Sequence, residues 1–373
     1  MSDHRPIASI AVIVVTWNSS KVIDGLLESL SAGLDGLSWQ LTVADNDSAD
    51  DTVQKIERWA EANPHVRHVR VVHTGGNLGY AAGINAALAE ADPYDAVLVL
   101  NPDIRLHPNS VRLMYEFLDM SEPAPNGAHD SGTDDPSTGE HSTDEPNSHE
   151  PQATPRARPR PRTGIVVPRI VDDAGNLSHS LRREPTLLRA FGEATLGARA
   201  GRIAALGELV RDEETYERPT VADWATGAIM LIARNCLEAC GPWDESFFLY
   251  SEETEFALRA RDRGFLTRLA PRAGATHIGG ESKVSPELWT LLMTNRIRLY
   301  RRRHTLPATA AYWATALLRE APRAALGQQR SRRAVKALLA PRTLASPIMA
   351  PGHASIEAPS QSDEKNASAK PEA

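Results

Sequence analysis

The chain has few cysteines, few aromatic side chains and no long uninterrupted apolar segment. Its 373 residues include two cysteines, Cys236 and Cys240, and aromatic residues make up 5% of the sequence. Two thiols form neither a disulfide framework nor a four-ligand zinc site, so we expect ordinary thiols on successive turns of one helix, in a reducing compartment. The apolar runs at 7–15 and 306–318 are shorter than the ~18 residues of a membrane-spanning helix.

The start of the chain and its charge distribution predict where the protein works. Residues 1–6 do not resemble a signal peptide, so we expect a cytoplasmic protein. The 41 basic and 48 acidic residues give a net charge of −7, with an acidic stretch at 122–150 and a basic one at 296–342. The basic stretch indicates either an anionic partner, such as a phospholipid surface at the inner face of the membrane or a diphosphate, or a solvated helical face.

Two segments differ in composition from the rest. Residues 121–162 are rich in Pro, Ser, Thr, Asp and Glu and have almost no large apolar side chains, so they cannot bury enough surface to order themselves. We predict a disordered insertion there, first acidic and then basic. The polar residues 341–373 predict a disordered tail for the same reason.

Apolar, β-branched runs alternate with polar loops and helical patterns in the first hundred residues. Strands are predicted at 7–15, 41–44, 66–72 and 96–100, with helices at 22–33 and 80–88. This alternation is typical of an α/β fold with a mostly parallel sheet flanked by helices. Ligands of such sheets bind at the carboxyl ends of the strands, where the polar clusters of this chain fall. No Gly-x-Gly-x-x-Gly follows the first strand, which excludes a dinucleotide-binding oxidoreductase.

Carboxylates follow two of these predicted strands. Asp45 and Asp47 come after the second strand, where they either accept hydrogen bonds from a nucleobase or ribose or form an Asx turn. Asp103 follows the fourth strand, in Asn101-Pro102-Asp103. It is either a ligand of a divalent cation on a diphosphate or part of a strand-ending turn.

Three glutamates begin a helix predicted from Ser251 to Gly264. Glu252 and Glu255 share one helix face, whereas Glu253 points elsewhere and can project into a cleft. A carboxylate in this position is either a general base that deprotonates a sugar hydroxyl or a partner of the helix dipole.

Three further side chains have both a functional and a structural interpretation. His277, just beyond a strand predicted at 265–270, is a metal ligand, a phosphate donor or a structural histidine. Trp224 and Trp243 either stack on sugar rings or pack in the core.

Taken together, the motifs resemble the family 2 glycosyltransferases of the GT-A fold, and specifically their rhamnosyltransferase-like branch. Each motif alone is weak, but they follow one another in the family's order over most of the ordered chain. The motifs are VVTWNSS (14–20), VADNDSADDT (43–52), GGNLGYAAGINAAL (75–88), VLVLNPDI (97–104), the block at 223–265 and HIGGESK (277–283).

The resemblance implies roles for residues of these motifs. The residues expected to bind the nucleotide sugar are Thr16, Asn18, Asp45, Asn77, Gly79 and Asn101. Asp103, with His277, is expected to bind Mg²⁺ or Mn²⁺ through the diphosphate. Glu253 takes the position of the catalytic base, and Trp224, Asp244 and Glu252 are expected to contact the donor sugar or the acceptor. The family usually has Asp at the position of Glu253, so this base is one methylene longer.

The implied reaction is a single displacement that inverts the anomeric carbon. The resemblance suggests dTDP-L-rhamnose as donor, with a UDP-sugar next, and a cell-envelope glycan or polyprenyl-diphosphate-linked acceptor. Because the Gln-x-x-Arg-Trp signature of processive synthases is absent, we expect one sugar to be added per encounter. The arginines after Asn295 are candidates for contact with the acceptor diphosphate or the membrane, and no nucleic acid partner is expected.

The resemblance also predicts how the chain is divided. Residues 5–120 would form the nucleotide-sugar-binding half of the domain and 163–285 the metal- and acceptor-binding half, followed by a basic helical extension at 286–340. A sugar nucleotidyltransferase is disfavoured because no glycine-rich loop with Lys or Arg follows Val15. A non-catalytic nucleotide-sugar-binding scaffold module remains the alternative, supported by the glutamate at 253 and the long insertion.

Overall fold

The computed structural model describes residues 8–66, 68–118, 161–279 and 285–340. The strands are β1 (Ser9–Thr16), β2 (Ser38–Asp45), β3 (Val69–His73), β4 (Ala96–Leu100), β5 (Ile104–Leu106), β6 (Arg162–Val171), β7 (Leu177–Ser178), β8 (Leu181–Arg182), β9 (Thr220–Ala222), β10 (Trp224–Ala225), β11 (Ile229–Ala233) and β12 (Phe265–His277). Most of the predicted insertion and all of the predicted tail lie outside the described residues.

Ten α-helices and two short 3₁₀ helices connect and cover these strands in the described ranges. The helices are α1 (Ile23–Gly33), α2 (Thr52–Ala62), α3 (Tyr80–Ala89), α4 (Ser110–Tyr115), α5 (Leu187–Leu196), η1 (Gly197–Arg202), η2 (Glu213–Glu217), α6 (Arg234–Cys240), α7 (Glu252–Asp262), α8 (Pro286–Arg303), α9 (Leu306–Ala325) and α10 (Gln329–Leu339).

One large sheet organises the molecule, with strand order β3-β2-β1-β4-β11-β6-β12-β5. The pairs β3–β2, β2–β1, β1–β4 and β6–β12 are parallel, and β11 is inserted antiparallel between β4 and β6. β7 and β9 pair with β6 and β12, and β8 and β10 form a separate two-stranded ribbon. The predicted α/β fold, with helices around a mostly parallel sheet, is confirmed.

The central strands form because continuous apolar runs suit a sheet that is covered on both faces. All five residues of β4 are fully buried, and β1 is buried from Ile10 onward. Alternate residues of these strands belong to two separate apolar clusters, one on each face of the sheet. Trp243 and Phe256 stack in one of these clusters with ring centroids 4.4 Å apart, so Trp243 is a core residue.

The end of β12 and the start of α7 differ from the prediction. β12 continues to His277, which is therefore its last residue, because β6 and then β5 pair with its second half. Ser251 precedes α7 as expected but adopts a left-handed conformation (φ 77°), and its hydroxyl makes no capping hydrogen bond. A backbone turn therefore begins this helix without a side-chain cap.

The C-terminal helices α8, α9 and α10 pack on one another and on α5 around a third apolar cluster. Within the described part of the chain, every helix is too short or too polar to span a bilayer. Cys236 and Cys240 lie on successive turns of α6 as predicted, and both are buried free thiols.

Candidate active site

The polar loops after β1, β2 and β4 meet at one edge of the sheet, since these three strands are neighbours and parallel. The predicted nucleotide-binding residues Thr16, Asn18, Asp45 and Asn101 all lie there. The geometry therefore brings these residues together as the sequence predicted.

The Asp45 carboxylate accepts hydrogen bonds from other residues of the chain. It is 2% exposed, and its oxygens accept hydrogen bonds from Thr16 Oγ1 (2.8 Å), the Ser48 amide (2.9 Å) and Ser48 Oγ (2.6 Å). Asn18 links the same two loops, because its Oδ1 accepts a hydrogen bond from the Ala49 amide at 2.7 Å. Thr16, Asn18 and Asp45 thus fix the shape of this edge, and Asp47 (φ 66°) forms the turn.

Gly79 is held where a side chain would not fit. Its φ is 93°, and a β-carbon there would collide with the carbonyl oxygen of Phe248. The next amide, of Tyr80, donates to that carbonyl at 2.8 Å, and the Gly79 amide donates to Asn77 Oδ1 at 3.3 Å. This loop, which begins α3, therefore contacts the segment before α7 directly.

Asp103 and His277 come together although 174 positions separate them in the sequence. Asp103 Oδ2 lies 3.1 Å from His277 Nε2, and the Ile278 amide donates to the Asp103 carbonyl at 3.0 Å. Burial raises the pKa of the Asp103 carboxyl, but the hydrogen bond and charge of His277 and the amides of Asp103 and Gly279 outweigh it, so the pKa is lowered. The predicted pair is therefore adjacent, with Asp103 ionised at neutral pH.

This pair fits part of a divalent cation site. Across the described ranges, no group of three or more His, Cys, Asp or Glu side chains forms a complete set of protein ligands. A cation on a diphosphate needs only one or two protein ligands, because phosphate oxygens and water complete its coordination. Gly279 lies against Asp103 Oδ2 where a β-carbon would collide with it, so the space beside the carboxylate depends on a glycine.

Glu253 lies at the start of α7. Its Cβ lies 3.1 Å from where a Cβ on Gly227 would be, so the side chain passes over the turn between β10 and β11. Its Oε2 is buried and has no hydrogen-bond partner among the described residues. Burial raises the pKa of the Glu253 carboxyl to about 7, against the lowering effects of nearby backbone amides and Arg182. Such a group exchanges a proton near neutral pH, as a general base must.

Glu252 is more deeply buried, at 3% exposure. Burial and then the charge of Glu253 raise the pKa of its carboxyl well above the ordinary value, although amides of Glu252 and Tyr250 oppose this. Tyr250 and Ser251 both have positive φ angles (67° and 77°), and this strained turn aims both glutamates. Glu255, by contrast, points away and pairs with Arg259 at 2.8 Å.

Tyr80 also lies at the site, although the sequence pattern at 75–88, which contains it, indicated no role for this residue. Burial and the charges of Glu252, Glu253 and Asp103 raise the pKa of its phenol well above the ordinary value, so all three carboxylates lie within electrostatic range. Its hydroxyl lies 3.4 Å from the Gly227 carbonyl oxygen, which accepts its hydrogen bond. The aromatic position in the 75–88 motif was the available signal.

The remaining predicted residues, Trp224 and Asp244, have partners within the chain. Trp224 is half-buried, its Nε1 donates to the Arg183 carbonyl at 3.1 Å, and Arg182 lies over its ring at 5.8 Å. Asp244 forms an ion pair with Arg302 and accepts a hydrogen bond from Ser246 Oγ at 2.6 Å. Trp224 lies next to the site because Arg182, which contacts its ring, also lowers the pKa of Glu253. The Asp244 carboxylate is instead paired with Arg302 of α8.

Comparison with known proteins adds to this geometry. The family model of "Glycosyl transferase family 2" matches residues 11–169. The chain is 26% identical over 289 residues to the N-acetylglucosaminyl-diphospho-decaprenol L-rhamnosyltransferase of Mycobacterium tuberculosis, covering 74% of this chain and 76% of that protein. It is 26% identical over 256 residues to the low-salt glycan biosynthesis hexosyltransferase Agl10 of Haloferax volcanii, covering 68% of this chain and 61% of that protein.

Solved structures include a similar chain at lower identity. The mannosyltransferase PcManGT of Pyrobaculum calidifontis, in complex with GDP-Man and Mn²⁺, is 15% identical with a TM-score of 0.49, covering 88% of this chain and 78% of that chain.

Proposed function

We propose that this chain, whose residues 11–169 belong to glycosyl transferase family 2, transfers one L-rhamnose from dTDP-L-rhamnose to a lipid-linked glycan acceptor and inverts the anomeric carbon. The chain is a glycosyltransferase, and its α/β sheet flanked by helices has the GT-A architecture that the resemblance implied. The donor is proposed from the name of the Mycobacterium tuberculosis relative, an L-rhamnosyltransferase. The same name supports a polyprenyl-diphosphate-linked acceptor.

The environment of the Glu253 carboxyl group is the single observation that most favours catalysis. A base for a sugar hydroxyl must be able to ionise near neutral pH and must have an oxygen free to accept the proton. Glu253 has a pKa of about 7 and an unpartnered Oε2 beside Tyr80 and Gly227. The extra methylene relative to the usual Asp is accommodated because Gly227, without a side chain, leaves room for the stem.

In the proposed reaction Glu253 takes the proton of the acceptor hydroxyl. The acceptor oxygen then forms a bond to the anomeric carbon while the bond from that carbon to the diphosphate breaks. Attack from the face opposite the leaving group inverts the configuration. The turn at 250–251 positions Glu253 at the start of α7.

Asp103 and His277 are proposed to hold a divalent cation, Mg²⁺ or Mn²⁺, against the donor diphosphate. When bound, such a cation neutralises negative charge on the departing nucleoside diphosphate. Asp103 supplies an ionised oxygen, and the imidazole of His277 supplies a nitrogen 3.1 Å from it. We also propose that the enzyme works at the inner face of the cell membrane, where a lipid-linked acceptor is found.

The test is transfer by the purified protein with a panel of nucleotide sugars and a polyprenyl-diphosphate-sugar acceptor, in Mg²⁺, Mn²⁺ or EDTA. Product and released nucleoside diphosphate are both measured, and the anomeric configuration is read by NMR. We expect cation-dependent transfer from dTDP-L-rhamnose, lost in Glu253→Gln and Asp103→Asn. The exposed carboxylates give matched controls, Glu213→Gln and Asp173→Asn, which should keep wild-type rates.

Two outcomes would contradict parts of this proposal. Transfer from another donor alone would replace rhamnose. Tight, cation-dependent donor binding with no release, with or without acceptor, would mean that the chain is a non-catalytic binding module.

A further inference from the structure

The exposed face of α9 has an unusual composition for a helix at the surface. Every exposed residue of α9 is apolar, and the series includes Leu306, Ala310, Ala314, Leu318, Ala321 and Ala325. Leu306 and Leu318 are 66% and 47% exposed. These positions recur every three or four residues, so they form one stripe along the helix. We call this stripe the α9 face.

Polar groups of the same helix point inward. Thr309, Thr315 and Glu320 are 1%, 8% and 0% exposed, and Glu320 accepts hydrogen bonds from Trp289 Nε1 and Ser331 Oγ. A helix that faces water normally has the opposite arrangement, with its polar residues outward. At 1.5 Å per residue, the 20-residue α9 presents this apolar stripe over about 30 Å.

α5, which packs against α9, also exposes large apolar side chains. Leu188 and Phe191 are 54% and 50% exposed, one helical turn apart. Beyond the end of α9, Leu326 is 84% exposed. Contiguous exposed apolar surface of this kind marks an interaction site.

The exposed charges of α9, α10 and the turn between them are all of one sign, and one of them, Arg333, pairs with the half-exposed Glu287 of α8. Between residues 305 and 340, all of which are described, the exposed charged side chains are Arg330, Arg332, Arg333 and Lys336 of α10. The only acid in that stretch is the buried Glu320. An apolar stripe flanked by basic side chains complements a bilayer that contains anionic lipids.

Three of the α8 arginines that the sequence offered as candidates for lipid contact form ion pairs within the chain. Arg296 pairs with Glu208, Arg302 with Asp244, and Arg303 with Asp262 at 2.9 Å. Both partners of each pair come from this chain, so these arginines join α8 to the sheet domain. On α10, Arg333 pairs with Glu287 of α8, whereas the exposed Arg330, Arg332 and Lys336 form no ion pair among the described residues.

We propose that the α9 face lies in the surface of an anionic lipid bilayer and holds the enzyme there. This rests on the proposed function, because a lipid-linked acceptor is reached only at a membrane. A second copy of the chain is the less suitable occupant. A two-fold contact through α9 would bring the basic side chains of two α10 helices together, and a stable interface needs ~20 residues per side.

The experiment is flotation of the purified full-length chain with vesicles of phosphatidylcholine alone or containing phosphatidylglycerol. Wild-type protein should float with the phosphatidylglycerol vesicles and less with the neutral ones. The variant Leu306→Asp/Leu318→Asp should lower the ratio of bound to free protein roughly tenfold or more, since burying two leucines is lost. The control Val221→Asp, at a 49% exposed position on β9, should float like wild type.

A second variant guards against misfolding. Ala310→Glu/Ala314→Glu places good helix formers on the α9 face and should also abolish flotation while the circular dichroism melt is retained. Flotation of both variants at the wild-type level, or no flotation of the wild type, would overturn the proposal. Sedimentation is measured in parallel, and a dimer that both variants dissociate, with no flotation, would assign the face to a second copy.

Activity separates this proposal from the proposed function. Both variants should transfer sugar to a water-soluble acceptor analogue at the wild-type rate and lose transfer to acceptor embedded in vesicles. If wild-type protein floats but transfers to neither acceptor, the proposed function fails and the docking surface stands.

Discussion

Burial and catalysis make opposing demands on the Glu253 carboxyl group. Burial raises its pKa to about 7, which favours the protonated form, whereas a base must be ionised. Because the pKa is raised, the group is protonated and inactive below about pH 7 and becomes ionised as the pH rises. In the proposed mechanism, this one side chain therefore sets the working pH of the enzyme.

We expect kcat/KM for transfer to fall about tenfold per pH unit below pH 7 and to level off above it. A pH–rate profile of the wild type, measured with saturating cation, should show this decrease in kcat/KM below pH 7. Glu253→Asp, which has the family's usual residue with a shorter side chain, should show the same decrease with a changed midpoint. A decrease with its midpoint at pH 4 to 5 would mean that the essential base is another residue.

The same raised pKa predicts that Glu253→Gln stabilises the fold at high pH. Since the folded-state pKa is above the ordinary 4.5, wild-type stability is lost as the pH rises through about 7, because the charged group must then be buried. Glutamine cannot ionise. We expect the variant to be more stable by up to ~3 kcal/mol at pH 8 and equal to wild type near pH 4.5.

Denaturant unfolding at the two pH values measures this difference. Glu213→Gln, on the exposed surface, controls for the loss of a negative charge and should show no pH-dependent gain. A Glu253→Gln variant that is destabilised at pH 8 would show that the carboxylate is stabilised by partners in the fold.

At the scale of elements, the site depends on a close crossing of two loops. The loop before α3 passes under the segment before α7, where Gly79 touches the Phe248 carbonyl and the Tyr80 amide donates to it. This crossing sets the distance between the donor side of the sheet and the glutamates of α7.

Two glycines of this loop provide a matched pair. Gly75 and Gly79 both have positive φ, 77° and 93°, but a β-carbon on Gly75 would meet nothing within 4 Å. Gly75→Ala should cost only the ~1–2 kcal/mol of a left-handed alanine, whereas Gly79→Ala should cost several kcal/mol and most of the activity. Equal losses in unfolding free energy and kcat for the two variants would show that the contact with Phe248 is unimportant.

Local patterns predicted the parallel half of the sheet, because each of its strands is an apolar run followed at once by a polar loop. β4 was placed at its observed boundaries, Ala96–Leu100, and α3 within one residue. The antiparallel insertion of β11 was not predictable, since its partners β4 and β6 lie far from it in sequence. Strand pairing of this kind is decided by packing of the whole sheet.

The candidate site divides in the same way. Asp103 and Glu253 could be chosen from their positions at element ends, where residue type and location suffice. The internal use of Asp45 and Asp244 could not, because it depends on the partners Thr16 and Arg302, which a sequence pattern does not reveal. Tyr80 was overlooked for a related reason, since only the folded chain brings three carboxylates around its phenol.

At the scale of the whole molecule, the C-terminal helices are joined to the turn that precedes Glu252 and Glu253. Asn295 of α8 is fully buried, and its Nδ2 donates to the carbonyls of Leu249 (2.9 Å) and Tyr250 (3.1 Å). Tyr250 is the first of the two residues with positive φ that precede Glu252. α8 thus holds the strained turn from behind, so the helical extension takes part in positioning Glu253.

We therefore expect Asn295→Ala to lower kcat roughly ten- to a hundredfold with little change in KM for the donor, because a small displacement of the base is costly. It should also cost ~1–3 kcal/mol of unfolding free energy, since two carbonyls lose their buried donor. Asn63→Ala is the matched control: its Nδ2 donates to the Trp59 carbonyl at 2.8 Å at the end of α2. That variant should lose some stability and no activity. If Asn295→Ala loses stability but keeps the wild-type kcat, α8 only packs against the domain, and the turn at 250–251 holds its shape without it.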